Sequence, residues 1–175
     1  MKQEYINPFL SPAKLVWQRE LGQPLNVESA EGTSHRFTTE DITAAIGVSG
    51  RLQGSVLYGF PAGTARAIID KLLGRRVDLE SEMALSALGE IANVITGNAV
   101  TELAVNGYLC DISPPIMIVP VGSLITTVVG QQILVTFGSP MGALKVRVSL
   151  FETPGWESGA GLPRQQPVQE ALPRA

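Results

Sequence analysis

Residues 81–107 read SEMALSALGEIANVITGNAVTELAVNG, and the spacing of their apolar positions predicts one long helix. At roughly 100° per residue around the axis, Leu85, Leu88, Ala92, Ile95, Ala99 and Leu103 gather on one side, the side expected to be buried. Ser86, Glu90, Asn93 and Gly97 fall close to one line on the opposite side. Glu90 and Asn93 are three residues apart, so their side chains are neighbours able to touch the same target. A solvated helix face is polar in any case, but two details make this stripe unusual. Asn is a poor helix-interior residue because its amide competes with the backbone. Gly97 costs about 1 kcal/mol relative to Ala. A helix that presents both is either one that a partner's surface approaches closely, or one with a mild kink or fray at Gly97.

Composition narrows the function classes. A chain of 175 residues suits one domain, and 45% hydrophobic residues suffice for a real core. The formal net charge of −3 argues against nucleic acid, which calls for a basic face. The first residues do not combine a basic start with an apolar run, so no signal peptide is expected. The most apolar segment, Ile116–Gly130, is too short for a bilayer and is broken by Pro120 and Gly122. A single cysteine, Cys110, permits no internal disulfide and fits a reducing cytosol. It reads as a small core or loop residue. His35, with no second histidine or cysteine partner, is read as a surface residue and not a zinc ligand. The expectation is a soluble cytoplasmic protein with no metal site, no membrane contact and no nucleic-acid partner.

Outward from the long helix, residues 6–21 predict a first helix with Pro8 in its first turn and Pro12 blurring its start. Short strands are possible near 25–29 and 34–38. Asp41–Gly50 and Gly54–Phe60 form a hairpin. Its glycines lack both the Gly-Lys-Ser/Thr of a phosphate loop and a dinucleotide fingerprint. Ala62–Leu73 is a short amphipathic helix stopped by Gly74. Asp78, Glu80 and Glu82 crowd the start of the long helix, where its dipole favours negative charge. This acidity favours a basic partner for the stripe. Asn106-Gly107 closes the helix, and Ser113-Pro114-Pro115 redirects the chain into a strand over Ile116–Val121. A last pair of strands, Gln132–Gly138 and Leu144–Phe151, flanks Ser139-Pro140-Met141-Gly142. In the second, Leu144, Val146, Val148 and Leu150 alternate with Lys145, Arg147 and Ser149, so one face is expected to be wet. The order of elements predicts an α+β fold, an antiparallel sheet with helices packed on one face. Residues 1–152 form the domain, and 153–175, rich in Pro, Gly and Gln, are expected to be a disordered tail in which Trp156 alone is able to dock.

The segment SALGEIANVITGNAVTEL, residues 86–103, resembles the signature helix of the CheX/CheC phosphatases, which dephosphorylate the response regulator CheY in bacterial and archaeal chemotaxis. The resemblance extends to Ile6-Asn7-Pro8-Phe9, to the strands before Phe60-Pro61 and to Ser113-Pro114-Pro115, over roughly residues 4–151. Glu-x-x-Asn alone is unspecific; set in Gly89-Glu90-Ile91-Ala92-Asn93 and followed by Gly97-Asn98-Ala99 it is much more specific. CheC proteins carry two such helices. The first helix here offers Glu20-Leu21-Gly22-Gln23 and no asparagine, so the chain looks like CheX, with one motif.

That resemblance implies a homodimer with joined sheets, one active site per subunit, and a phosphorylated CheY-like receiver domain as partner. It implies catalytic roles for Glu90 and Asn93, with Ser86, Gly97 and Pro115 contacting the partner. No cofactor belongs to the chain itself, since the receiver supplies the Mg²⁺. An acyl phosphate is already activated and lacks only a placed water, which a carboxamide can hold. The rival reading is a non-catalytic module, related to the middle domains of flagellar switch proteins, that binds or scaffolds the regulator and leaves it intact. A third is a purely structural dimerisation domain.

Overall fold

A computed structural model describes residues 2–33, 36–119, 122–126 and 131–156. Its order is α1 (Asn7–Leu21), β1 (Asn26–Thr33), β2 (Arg36–Thr38), β3 (Ile42–Gly50), β4 (Leu52–Phe60), α2 (Ala62–Leu73), α3 (Glu82–Val105), β5 (Cys110–Ile112), β6 (Ile116–Ile118), β7 (Leu124–Thr126), β8 (Gln132–Ser139) and β9 (Gly142–Glu152). Local chemistry accounts for the helix limits. Gly22 and Gly74 end α1 and α2 in the left-handed conformation, where glycine has no Cβ to clash. The Ser81 hydroxyl caps α3 by accepting from the Ala84 amide.

The main sheet is antiparallel, in the order β1-β8-β9-β4-β3-β5, with β6 also pairing along β3. The β3–β4 hairpin turns tightly at Gly50-Arg51, pairing Val48 with Gly54 and Ile42 with Phe60. All three helices lie on one face of this sheet. The inward rows Ile42, Ala44, Ile46 and Val48 of β3, Val56, Tyr58 and Phe60 of β4, and Leu144, Val146, Val148 and Leu150 of β9 meet Phe9, Val16, Trp17, Ile68, Ile69, Leu88, Ala92 and Ile95 from the helices. Helix α1 runs against α3, and α2 packs on β9 and α3. Among the described residues no helix is long and apolar enough to cross a membrane.

The opposite face of the sheet is not wet, contrary to what the alternation along β9 suggests. Strands β2 and β7 form a separate two-stranded sheet, and residues 37–40 lie over β4 and β9. Phe37 stacks on the Arg147 guanidinium at 4.1 Å, and Glu40 pairs with Lys145 at 2.7 Å. Leu57, Thr43 and Ser149 are buried beneath or beside them. Burial lowers the Arg147 pKa, against the pull of Glu40 and Glu31. Strand β1 is also longer than the 25–29 segment expected. The strand expected over Ile116–Val121 is described as Ile116–Ile118; Pro120 and Val121 lie outside the described residues, as do His35 and 157–175. Of the segment read as a tail, Thr153 is held by two bonds, its amide to the Arg51 carbonyl and its hydroxyl to that of Gly50.

Candidate functional site

Helix α3 delivers the polar stripe to the surface. Ser86 and Glu90 are exposed; Asn93 and Gly97 are half-buried; Leu88, Ala92, Ile95, Ala99 and Leu103 are fully buried behind them. Leu85, expected in the buried row, is only partly covered and packs at the margin of the core. Among the described residues, neither the Glu90 carboxylate nor the Asn93 amide is tied up in a hydrogen bond or ion pair. Both are therefore available to a molecule laid across the helix. At Gly97 an added Cβ meets no heavy atom within 4 Å, so this glycine answers to no packing need within the chain.

One flank of the stripe is clamped to the sheet at two points. The first is Gly89, where an added Cβ would stand 3.4 Å from the Pro115 ring and 3.3 Å from the Met117 sulfur. Pro115 thus packs against the helix one residue from Glu90. Prolines 114 and 115 donate no backbone hydrogen bond, and Ser113 keeps this edge attached by other means. Its Oγ accepts from the Gly47 amide at 2.9 Å while its own amide donates to the Gly47 carbonyl.

The second point is Thr96, wholly buried, whose hydroxyl donates to the Ala92 carbonyl at 2.8 Å. Tyr58 of β4, also wholly buried, lies 2.8 Å from the same Thr96 oxygen. The Thr96 hydroxyl has one hydrogen, already given to Ala92, so Tyr58 is the donor to Thr96. Burial raises the Tyr58 pKa, with the Thr96 hydrogen bond opposing, which keeps the phenol protonated for that role. Gly89 and Thr96 lie four residues before and three after Asn93, so both fix the turn of helix that carries the amide. The sequence reading named Gly89 only as part of the motif's context and did not name Thr96 as a site residue. Only the (i, i+3) and (i, i+4) spacing to Asn93 hinted at them.

The other flank opens into a groove between α1, α2 and α3, lined by Val16, Arg19, Glu20, Leu72, Ala87, Glu90, Ile91 and Val94. The Arg19 guanidinium pairs with Glu20 at 2.8 Å. Arg19 thus lines the same groove as Glu90, but its charge is taken up by Glu20. Among the described residues no three His, Cys, Asp or Glu side chains gather as a metal site. Burial raises the pKa of the Cys110 thiol and makes it a poor nucleophile, in keeping with its reading as a structural residue.

Four similarities bear on this arrangement. The CheY-P phosphatase CheX of Thermotoga maritima is 31% identical over 86 residues, 49% of this chain and 56% of that protein, so the match spans little more than half of the relative's length. The crystal structure of the chemotaxis protein CheX from Vibrio vulnificus shares the fold with a TM-score of 0.77 at 27% identity, covering 85% of this chain and 99% of that one. A CheX–CheY–BeF3–Mg2+ complex from Borrelia burgdorferi is similar at a TM-score of 0.62 and 26% identity, over 85% of this chain and 98% of that one. Residues 42–137, more than half of the chain, match the family described as chemotaxis phosphatase CheX. They hold the whole of α3 with Glu90 and Asn93, the β3–β4 hairpin beneath it and the Pro115 edge beside it. The chain belongs to the CheX family.

Proposed function

We propose that this protein accelerates hydrolysis of the phospho-aspartate of a CheY-like response regulator, with Asn93 positioning the attacking water and Glu90 anchoring the partner. One observation carries the reading: Glu90 and Asn93 stand side by side on an open helix face, in a chain of the chemotaxis phosphatase CheX family. The chemistry asks little more of the chain. Water attacks phosphorus, the bond from phosphorus to the aspartyl oxygen breaks, and the aspartate leaves as a carboxylate. The water's proton passes to the released phosphate or to solvent. The Asn93 carbonyl oxygen accepts one hydrogen of that water, and its NH₂ donates to a phosphoryl oxygen, which fixes the line of attack. Glu90 pairs with a lysine beside the phosphorylation site. Ser86 and Gly97 extend the contact along the helix, and Pro115 does so from the sheet edge.

The metal belongs to the partner's side of the interface. The Borrelia complex contains Mg2+ and BeF3 together with CheX and CheY, so a metal is present when the two proteins meet there. The same reading places the protein in the cytoplasm, as a homodimer joined through its sheets, with residues 1–152 as the working domain. The experiment is release of inorganic phosphate from a Mg²⁺-loaded, phosphorylated receiver domain, with and without the protein, across the host's receivers. Acceleration of at least one receiver is expected. Binding of a phosphorylated receiver with no acceleration would turn the reading to the non-catalytic scaffold.

A further inference from the structure

The groove beside Glu90 has a volume of about 310 Å³, at the lower end of the roughly 300–1,000 Å³ spanned by ligand pockets. Its walls are apolar: Val16 from α1, Leu72 from α2, and Ala87 and Val94 from α3. Its charged residues, Arg19, Glu20 and Glu90, are all exposed to solvent, whereas Val16 and Ile91 are buried. Arg19 and Glu20 neutralise each other across 2.8 Å, which leaves Glu90 as the uncompensated charge there. Such a cavity has too few buried polar groups to orient a metabolite. It suits one or two aliphatic side chains brought in by a surface that is positively charged around them.

The position of Glu90 decides whose side chain that is. Ala87, Glu90 and Val94 lie at i, i+3 and i+7 on α3, so the groove wall and the polar stripe are adjoining faces of one helix. Any molecule that sets a cation against Glu90 and a phosphoryl group against Asn93 covers the mouth of the groove as well. We propose that the groove seats an aliphatic side chain of the response regulator, carried on the same basic surface that pairs with Glu90, and that this contact selects the cognate regulator. The proposal rests on the function argued above. Steps at Asn93 supply chemistry common to all phosphorylated receivers, whereas the groove reads a residue that differs among them.

The test fills the groove and, separately, changes the charge at its mouth. Ala87→Phe is expected to raise KM for the phosphorylated receiver tenfold or more while kcat at saturation stays within about twofold of wild type. Arg19→Glu, on an exposed side chain, frees Glu20 and adds a carboxylate of its own, and is expected to lower KM severalfold in low salt, an effect erased at high salt. A folded Ala87→Phe protein with wild-type KM, or an Arg19→Glu protein with unchanged or raised KM, overturns the proposal. So does loss of the dimer in Ala87→Phe, which would make a second copy the occupant. Deleting residues 157–175 is expected to leave KM unchanged; a lowered KM, matched by no further change on adding Ala87→Phe, would make that segment the occupant. Absence of phosphate release by the wild-type protein from every receiver is a different result, and it refutes the phosphatase reading instead.

Discussion

At the scale of single residues, the stripe divides into groups that act in the transition state and groups that act in binding. Asn93→Ala removes an interaction made mainly as water attacks phosphorus, so turnover is expected to fall while the complex still forms. Loss of a positioned proton-handling group typically costs about 10²–10⁴-fold, and single-turnover phosphate release with a parallel binding isotherm separates the two effects. Glu90→Ala is expected to weaken binding more than turnover, because its charge meets the partner before and during the reaction alike. Both side chains are clear of the core, so the melting temperature serves as the folding control and is expected to move little. Full activity in folded Asn93→Ala would end the catalytic assignment. Gly97 gives a prediction of opposite sign in two measurements. An alanine there has open space around its Cβ and gains about 1 kcal/mol of helix propensity, so Gly97→Ala is expected to melt at a higher temperature. If the receiver's surface lies close on the helix, the same methyl group raises KM. A variant that is more stable and binds equally well would show that the partner never reaches position 97.

At the scale of elements, helix placement is set by contacts that connect distant parts of the chain. Tyr58 of β4 reaches Thr96, and Thr96 reaches the Ala92 carbonyl, directly behind the turn that carries Asn93. Tyr58→Phe deletes one hydrogen bond without opening a cavity and is expected to cost about 1 kcal/mol. Thr96→Val removes the acceptor for Tyr58 and the donor to Ala92 together and leaves the buried Tyr58 hydroxyl unpaired, so it is expected to cost more, about 1–3 kcal/mol, and Thr96→Ser restores the hydroxyl. If the pair holds α3 in register, both deletions lower kcat by a few-fold at unchanged KM, and Thr96→Ser recovers it. A fall in melting temperature with kcat intact would limit the pair to stability. These contacts also mark where the sequence ceased to be readable. Periodicity alone located α2 at Ala62–Leu73 and the row Ser86, Glu90, Asn93, Gly97, because a helix face is a local property. β-compatible runs bounded by turn residues located β3, β4 and β8, and alternation located β9, within a few residues for the same reason. Tyr58 meeting Thr96, Pro115 meeting Gly89, and α1 closing a groove against Glu90 are juxtapositions across 38, 26 and some 70 residues, for which no spacing rule exists. Lys145, Arg147 and Ser149 misled for a related reason. Their polarity announced a solvated face, whereas Glu40 and Phe37, far away in sequence, cover it.

At the scale of the whole molecule, the residues before α1 are joined to the end of β9. Lys2 pairs with Glu152 at 2.7 Å, Tyr5 also bonds Glu152, and Tyr108 stacks edge-on against Tyr5 while bonding Glu4. The hydrogen bond from Lys2, then that from Tyr5, holds the Glu152 carboxyl below its ordinary value of 4.5. A depressed carboxyl pKa stabilises the fold at pH values above 4.5 and loses that contribution as pH falls through the folded-state value. Glu152→Gln is therefore expected to melt slightly below wild type at neutral pH, with the gap closing on acidification below 4.5. A gap that is constant with pH would show that the ion pair contributes nothing. The sheet also has two unequal edges. At one, β5 and β6 are interrupted by Ser113-Pro114-Pro115 and lie beside the site, so pairing there is broken and would crowd the partner. At the other, β1 offers eight residues, nearly all exposed, with no strand beyond it among the described residues. An open edge of that length calls for a cover, and a second copy joined at β1 leaves α3 of both subunits clear to receive regulators. Sedimentation velocity at tens of micromolar is expected to show a dimer. Amide exchange is expected to slow in β1 as concentration rises, with no such change in β5 or β6. Monomer throughout that range excludes the dimer, and protection confined to β5 and β6 assigns the interface to the opposite edge, where it competes with the regulator.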